Sequence, residues 1–510
     1  MSKFPFLTLL VTLPLLGALI LAFFPRSAGE LAKRFALVWT LVVFALTVGA
    51  WLAFKAGGDR FQLKDDYPWI PQWGVRFTFE VDGIALVMVA LIGLLVPLIV
   101  VASWKTVEAL DGNRSVPAYF ALLLALQGMM IGVFAASDVL LFYVFFEAML
   151  VPMYFLIGSY GSHQRRQYAA VKFFLYSLVG GLFMLAAVIG LWVLGGNTFD
   201  WHTLVEAEFT TWAERWMFLG FFVAFAIKAP FFPFHTWLPD AGSAAPAPAA
   251  ALLVAVMDKV GTFGILRYCL SLFPNASKYF APLAIALALV GIIYGALLAV
   301  GQNDLKRLVS YTSIAHFGFI GIGIFAFTTQ AGSGAVLYML NHGLATGLLF
   351  LVVGFLVARR GSASIKDFGG AGKLVPWLSG VFFIAGMASL ALPGTSPFVS
   401  EFLVLLGVFA VNKTVAVIAT LGIVLAAAYV LWMYQRTMQG TLNPALNEVP
   451  AMKKDLSVRE LAVVAPLIGL ILFLGFYPKP VLDVINPAVQ ATFTQDLGVS
   501  DPAPKSEAKK

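Results

Sequence analysis

The sequence predicts an all-α polytopic membrane protein with about fourteen transmembrane helices, and two observations support this expectation. Of its 510 residues, 60% are hydrophobic and 12% are charged, whereas soluble domains average roughly half and a quarter. Apolar runs of about 20 residues, the length that spans a bilayer, recur along the chain. A single soluble enzyme domain is therefore excluded, and the net charge of +7 indicates basic cytoplasmic loops rather than nucleic-acid binding.

The predicted spans follow one another with mostly short polar connections. The first apolar run lacks an A-x-A-like cleavage site and is predicted to be a retained helix. The longer polar stretches 55–83 and 195–215 are predicted surface connections, and 500–510 is a predicted solvated tail. The fourteen predicted spans are 6–24, 34–54, 84–103, 117–135, 138–158, 170–194, 216–238, 244–272, 280–300, 307–327, 334–357, 376–411, 414–435 and 459–477.

Basic residues predict the orientation of the chain. Seventeen Lys and Arg residues lie in the loops after odd-numbered spans and eight in the loops after even-numbered spans. Because Lys and Arg concentrate in cytoplasmic loops, the odd loops are predicted to face the cytoplasm. With fourteen spans, both termini are then predicted to lie on the outer face.

Ionisable residues within the spans are the main candidates for function. A charge near the bilayer centre costs about 2.5–3.5 kcal/mol on insertion scales, so each requires a partner or a role. The charged residues in predicted spans are Lys172, Lys228, Lys259, Glu147, Asp258 and Glu401. At about 1.5 Å of rise per residue, the titratable groups that fall near one plane are Glu147, Lys228, Lys259, His316, His342 and Glu401.

This row predicts a polar axis parallel to the membrane that carries protons. For any one residue, a structural role as an ion pair or an interhelical hydrogen bond is as good an explanation as function, whereas the whole set favours function. Glu147 and Lys228 are expected to pair, each offsetting the desolvation of the other. His316 and His342 titrate near neutral pH and pass protons through water. His235 and the hydroxyl run 310–313 add hydrogen-bonding groups.

Two further charged residues have accessory interpretations. Lys172 follows the basic segment 164–167 closely and is predicted to extend its ammonium to the interface. Asp258 precedes Lys259, but adjacent helical residues point about 100° apart. Asp258 is therefore not required to pair with Lys259 and is predicted to face a neighbouring helix.

Prolines predict that two spans are interrupted. Span 7 contains Pro230, Pro233 and Pro239 close to Lys228, and span 12 contains the break 390–397 before Glu401. Open backbone at membrane depth requires surrounding protein or a watery cavity. Paired breaks five spans apart predict two inverted five-helix repeats, spans 4–8 and 9–13. The predicted units are 1–116 with spans 1–3, 117–272 and 280–435 as the two repeats, and 436–510 with the last span and tail.

Several motifs together are highly specific. They are Phe145-Phe-Glu-Ala-Met-Leu-Val-Pro-Met-Tyr154, Ala226-Ile-Lys-Ala-Pro230, Phe234-His-Thr-Trp-Leu-Pro-Asp240, Lys259-Val-Gly-Thr-Phe-Gly-Ile-Leu-Arg267, Tyr311-Thr-Ser-Ile-Ala-His-Phe-Gly318, Asn341-His342 and Pro393-Gly-Thr395. From span 3 to span 14 the chain resembles the antiporter-like membrane subunits of proton-pumping NADH:quinone oxidoreductase, respiratory complex I. The span-12 glutamate resembles the M type of this family, whereas the L and N types typically have lysine there.

The resemblance implies roles for individual residues. It implies that Glu147 and Lys228 form a coupling pair, that Lys259 is the central proton carrier, and that His316 and His342 lead to Glu401 at the outlet. Three positions depart from the family pattern. They are Gly242, where the family usually has histidine; Pro397, where it usually has glycine; and Asp258, which is apolar in many relatives and is predicted to perturb Lys259 electrostatically.

The predicted function is therefore proton translocation driven by quinone reduction in other subunits, in a bacterial cytoplasmic membrane. No cofactor or metal is expected on this chain, because its single cysteine, Cys269, cannot supply the usual four ligands of an iron–sulfur cluster. The expected partners are other membrane subunits of complex I, especially the L and N types, the lipid bilayer, protons and water, and no nucleic acid. Two alternatives are a cation/proton antiporter or membrane hydrogenase pump subunit of the same fold, and a haem-bearing electron carrier with His235, His316 or His342 as axial ligands.

Overall fold

The computed structural model describes residues 4–107, 114–162 and 164–501, which form a helical bundle with one small β hairpin. In this described part of the chain, eleven helices are long and apolar enough to cross a membrane. The remaining predicted spans are the shorter Phe6–Ala22 and the interrupted spans 7 and 12. The predicted all-α membrane fold is thus confirmed.

The observed helices follow the predicted order. Numbered as spans 1 to 14, they are Phe6–Ala22, Gly29–Ala53, Gly83–Ser103, Val116–Ala135, Val139–Ala148 with Leu150–Gly158, Arg166–Leu194, Thr211–Lys228 with Trp237–Ala244, the four-part span 8 described below, Pro274–Val300, Leu305–Phe325, Thr329–Arg360, Pro376–Ser389 with Ser396–Val411, Lys413–Met438, and Val458–Phe476. Short polar side chains define many helix starts. Asp82, Asp138 and Asp304 each accept a hydrogen bond from the backbone N–H three residues later, which satisfies a donor that the helix leaves open.

The connection 55–83 contains a structured element that was predicted only as a surface connection. Strand β1, Gln62–Ile70, pairs antiparallel with strand β2, Val75–Val81. Gly74 has a φ of 69° in the turn between them, a conformation that glycine adopts without steric cost. The hairpin covers the end of the bundle from which span 3 begins.

Span 7 is interrupted where the prolines predict it. Its first part ends at Lys228, and helix resumes at Trp237. The indole Nε1 of Trp237 donates to the Ile227 carbonyl at 2.8 Å. This bond satisfies a carbonyl that the missing helical turn leaves without a backbone partner.

Span 12 is interrupted between Ser389 and Ser396, again as predicted. The amide nitrogen of Asn341 on span 11 donates to the Ser396 carbonyl at 2.8 Å and thereby holds the start of the resumed helix. Pro397 lies in the first turn of that helix, where proline fits because its missing N–H would be unpaired anyway. The replacement of glycine therefore does not prevent the break.

Span 8 was predicted as one continuous helix, 244–272, and this prediction was wrong. It consists of Ala247–Leu252, a π-helical turn at Leu253–Met257, the helix Lys259–Gly264, and a second π-helical turn at Ile265–Leu270. Irregular turns of this kind often mark functional sites, because they change the direction in which side chains project. The first π-helical turn directly precedes Asp258 and Lys259.

Loops contact one another in two separate sets. In the loops after odd-numbered spans, backbone hydrogen bonds join Ser162 to Ala244, Leu305 to Ala363 and Gly369 to Thr437. In the loops after even-numbered spans, they join Ser137 to Thr78 and Val139 to Phe199. This grouping is what alternating membrane crossings produce. The two loop sets are called the odd face and the even face below. The division into two repeats remains a prediction.

Two basic residues that were included in the loop counts above are buried: Arg267, at the end of predicted span 8, and Lys306, just before predicted span 10. Arg267 lies in Ile265–Leu270 and forms an ion pair with Asp82 at 2.8 Å. Lys306 lies in the first turn of span 10 and donates to the Ala245 carbonyl at 2.8 Å. Hydropathy placed both at span ends, but their burial depends on neighbouring elements that are distant in sequence.

The C-terminal segment also differs from its prediction as last span and polar tail. Helix Lys479–Ala491 follows span 14, and its buried apolar residues pack against spans 3 and 11. The π-helical turn Thr492–Asp496 comes next, and Asp496 pairs with Arg60 at 2.8 Å. Most of the predicted solvated tail, 502–510, lies outside the described residues.

Candidate functional site

Glu147 lies in the last turn of Val139–Ala148, just before Met149 separates this helix from Leu150–Gly158. Its carboxylate packs directly against Gly181 of span 6, so that a Cβ at Gly181 would overlap Oε1. Oε1 is buried and, within the described chain, has no hydrogen-bond partner. An unpaired buried oxygen costs free energy, so its presence here favours a functional role over a purely structural one.

Lys228 is the last residue of the first part of span 7 and is buried. Its Nζ lies 4.9 Å from the ring centre of Phe146 and 5.8 Å from that of Phe173. It has no hydrogen-bond partner among the described residues. The expected Glu147–Lys228 pair is therefore not a direct ion pair, and the two groups interact only through space.

Lys259 is fully buried, and its Nζ is surrounded by three acceptors. Nζ donates to the Val254 carbonyl and to Oδ1 of Asp258 at 3.0 Å. It also lies 2.5 Å from Nδ1 of His342 on span 11. The aromatic ring of Phe317 covers it, with a centroid distance of 5.0 Å.

The contact between Asp258 and Lys259 corrects the expectation that Asp258 faces a neighbouring helix. The side chain of Lys259 folds back toward Val254, so its ammonium reaches the carboxylate of the preceding residue. The interruption of the helix at Met257 permits this contact, which the 100° spacing of a regular helix does not favour. Oδ2 of Asp258 is buried and unpartnered in the described structure.

His342 and His316 continue the row from Lys259. Their ring centroids are 5.1 Å apart with an interplanar angle of 78°. Both residues are buried, and Nε2 of His342 and Nδ1 of His316 have no hydrogen-bond partner in the described structure. Nε2 of His316 lies 3.5 Å from the Tyr429 hydroxyl.

Glu401 is connected to His316 through Tyr338, a residue that the sequence patterns did not single out. The hydroxyl of Tyr338 donates to Oε2 of Glu401 at 3.3 Å, and the Tyr338 ring lies 5.9 Å from that of His316. Tyr338 is one turn before His342 on span 11. The hydroxyl of Tyr338 in an otherwise apolar stretch could have indicated a functional role. Tyrosine is common in membrane helices, however, so this indication is weak.

His235 and Lys172 are located away from this row. His235 lies in the break of span 7 and packs against the rings of Phe232 and Tyr294. Lys172, which was predicted to extend its ammonium to the interface, forms an ion pair with Asp240 at 2.7 Å. Arg307 pairs with the same carboxylate at 2.5 Å, so Asp240 joins spans 6, 7 and 10 on the odd face.

A cavity of about 960 Å³ opens among the loops of the odd face. Its lining includes Ser243, Pro246, Lys306, Gly354 and Arg359. It lies above the part of the bundle where spans 8, 10 and 11 meet, which are the spans that hold Lys259, His316 and His342. It therefore provides room for water at the odd-face ends of these three spans.

The structure brings Lys259, His342, His316, Tyr338 and Glu401 into one buried sequence of neighbours, with Glu147 and Lys228 adjacent to it. Groups in such a sequence can pass protons by small rotations or through single waters. Across the described residues, no three His, Cys, Asp or Glu side chains converge as metal ligands. The expectation that the chain binds no cofactor remains a prediction.

Comparison with known proteins identifies similar chains. Residues 136–426 match the family described as NADH:quinone oxidoreductase/Mrp antiporter, TM. The chain is 48% identical to NADH-quinone oxidoreductase subunit M of Mycobacterium tuberculosis, in an alignment that covers 99% of this chain and 96% of that protein.

Solved structures show the same architecture. A chain of respiratory complex I from Thermus thermophilus is 32% identical and superposes with a TM-score of 0.87, covering 97% of this chain and 100% of that one. A chain of the Mrp complex from a Dietzia species is 20% identical with a TM-score of 0.85, covering 97% and 98%. At this lower identity the second match shows the fold alone.

Proposed function

Because the chain belongs to the NADH:quinone oxidoreductase/Mrp antiporter family of membrane proteins, we propose that it carries protons across the membrane along Lys259, His342, His316 and Glu401. It is an antiporter-like, multi-pass membrane subunit of NADH-quinone oxidoreductase of the bacterial type. Its partners are other membrane subunits of that complex. Neighbouring L- and N-type subunits and location in the bacterial cytoplasmic membrane are part of the proposal.

In the proposed cycle, quinone is reduced in other subunits and the resulting electrostatic change reaches Glu147. The altered interaction between Glu147 and Lys228 then changes how firmly Lys259 holds its proton. Lys259 transfers a proton to Nδ1 of His342, and the proton continues through His316 to Glu401. Water from the odd-face cavity supplies the replacement proton, so uptake is from the cytoplasm and release is at the outer, even face.

The observation that supports this proposal best is the contact between Lys259 and His342. Two basic groups from spans 8 and 11 lie 2.5 Å apart and are both buried. Two basic groups at this distance favour a single shared proton, because two positive charges in a low-dielectric interior repel strongly. The pair is therefore suited to holding and releasing one proton.

The two alternatives have less support. A haem between His316 and His342 requires space for the macrocycle between the rings, but these rings pack directly edge to face at 5.1 Å. The assignment as a separate antiporter or hydrogenase subunit is supported by the shared fold. The 48% identity over nearly the full length, in contrast, is to a complex I subunit. Complex I membership is therefore preferred to both.

The proposal is tested in the assembled complex, reconstituted into vesicles, by counting protons moved per NADH oxidised. Lys259→Ala and Glu147→Ala are each expected to lower this ratio by the share of one channel. A positioned proton-transfer group contributes about 10²–10⁴ in rate, so its loss stops the channel. Lys413→Ala removes an exposed lysine at the start of span 13 and is the matched control. Unchanged proton counts in both test variants would exclude the mechanism.

A further inference from the structure

The two central lysines have opposite surroundings. An ammonium has three N–H donors and no acceptor, and Lys259 has three acceptors at Val254, Asp258 and His342. Its site therefore fits the protonated form, with Nδ1 of His342 as an unprotonated acceptor. Asp258 is the anionic member of this set.

Lys228 has no acceptor within the described chain and lies against Phe146 and Phe173. A buried ammonium without a hydrogen-bonded counter-ion pays a large desolvation cost that aromatic rings only partly offset. A neutral amine fits these surroundings better. The two lysines are thus built for different charge states.

Spans 7 and 8 are in backbone contact beside both lysines. A Cβ at Gly261 would lie 2.5 Å from the Phe225 carbonyl oxygen and 2.6 Å from the backbone nitrogen of Ala229. This close approach brings the turn that ends at Lys228 against the turn that begins at Lys259. Asp258 is also within electrostatic range of Lys228.

The titratable groups around Lys259 come from several elements. Span 7 contributes Lys228, span 10 contributes His316, and span 11 contributes His342, while Asp258 belongs to span 8 itself. Asp258 is the only carboxylate among these four groups, and it is fully buried. Its second oxygen, Oδ2, has no partner in the described structure and is free to accept a proton.

We propose that Asp258 holds the resting proton on Lys259, leaves Lys228 neutral and relays each incoming proton from Lys228 to Lys259. This inference rests on the proposed function. While Asp258 is ionised, the ion pair at 3.0 Å keeps Lys259 protonated. A proton arriving through Lys228 is transferred from its Nζ to Oδ2 of Asp258, which becomes a neutral acid. Lys259 then loses its counter-ion and releases its own proton to Nδ1 of His342.

The site returns to rest in one further step. The carboxylic acid of Asp258 gives its proton to the neutral amine of Lys259, which restores the ion pair, and His342 passes its proton onward. One proton enters at Lys228 and one leaves at His342, so charge is balanced over the cycle. The lysines are never both protonated beside an uncharged Asp258.

The test measures protons moved per NADH oxidised in vesicles as a function of pH, with the whole complex. Asp258→Asn keeps the shape of the side chain and one hydrogen-bond acceptor but removes the negative charge of the carboxylate. Because a carboxamide cannot take up a proton from Lys228 and return it to Lys259, we expect Asp258→Asn to lose the share of one channel at every pH, as Lys259→Ala does. Asp258→Glu keeps a carboxylate and is expected to restore the normal profile.

Asp82→Asn is the matched control, because it also removes a buried carboxylate that is ion-paired at a similar distance, to Arg267 at 2.8 Å. It is expected to lower the melting temperature without lowering the proton count. If Asp258→Asn does not assemble, Asp258→Leu provides the same measurement.

The outcomes separate the two proposals. Normal proton counts in both Asp258→Asn and Asp258→Leu would overturn the role of Asp258. Pumping lost at every pH in assembled Asp258→Asn, Asp258→Leu and Asp258→Glu would also overturn it, since the residue would then be needed for structure. Normal pumping by Lys259→Ala would instead overturn the proposed function, whatever the Asp258 variants do.

Discussion

The carboxylate of Glu147 lies so close to Gly181 that only a residue without a side chain fits there. This contact holds one end of the row in place from span 6, a helix that contributes no charge to the row itself. Since Lys228 makes no ion pair with Glu147 in the described structure, the packing against Gly181 has a larger part in positioning the carboxylate than the lysine has.

Gly181→Ala is expected to displace the Glu147 carboxylate and to reduce pumping. A displacement of about 1 Å in a catalytic group costs up to roughly 100-fold in rate. Gly190→Ala is the control on the same helix, because its Cβ would meet only the flexible Met217 side chain, 3.2 Å from the sulfur. Proton counts per NADH in vesicles measure the effect. Equal counts for the two variants would contradict the positioning role of Gly181.

Tyr338→Phe is expected to slow proton release through Glu401. The substitution removes the donor at 3.3 Å from Oε2 and leaves that buried carboxyl without this partner. Hydrogen bonds to charged groups contribute about 1.5–3 kcal/mol, which corresponds to roughly 10- to 100-fold in a rate that depends on the bond. Pumping rates at saturating NADH measure the change.

Tyr434→Phe is the matched control for that experiment. Its hydroxyl is 2.9 Å from Oγ of Ser379, near the odd face and away from the row. A normal rate is expected for this variant. If Tyr338→Phe pumps as fast as Tyr434→Phe, Tyr338 is not part of the route.

Glu80 on strand β2 of the hairpin is expected to affect the stability of the protein at acidic pH. Burial acts to raise the pKa of Glu80, but hydrogen bonds from His202 and Ser137, each 2.5 Å long, outweigh burial and lower the pKa below its ordinary value of 4.5. A lowered folded-state pKa means that the ionised Glu80 stabilises the fold above the unfolded-state pKa. That stabilisation is lost as the pH falls through the lower, folded-state pKa.

His202→Ala is therefore expected to destabilise the protein at pH 7 by about 1 kcal/mol, a small value because His202 is partly exposed. It is also expected to make the melting temperature fall less steeply as the pH drops below about 4.5. Thermal melting of the purified complex between pH 3.5 and pH 7 measures both effects. Asp483→Asn, which breaks an exposed pair with Lys479, is expected to change neither. An unchanged acid slope in His202→Ala would contradict the role of this hydrogen bond.

Local sequence signals predicted the crossings and the interruptions. Prolines 230, 233, 393 and 397 remove backbone donors within apolar runs, so breaks in spans 7 and 12 could be located before the structure was known. The hairpin 62–81 was missed because a short strand pair in a polar connection has a much weaker pattern than a membrane helix. Arg267 and Lys306 were assigned to loops because hydropathy does not show which span ends are covered by other elements.

The amino-acid sequence alone was sufficient to predict a membrane bundle and a row of ionisable groups at similar depth, because hydropathy and helical rise depend only on local order. It could not predict which of these groups touch. The contact of Lys259 with His342, the use of Tyr338 to reach Glu401 and the aromatic surroundings of Lys228 all join residues from different helices. The pairing of Asp258 with Lys259 depends on a π-helical turn between tightly packed helices. Such contacts follow from the rotation and packing of whole helices, which local spacing does not determine.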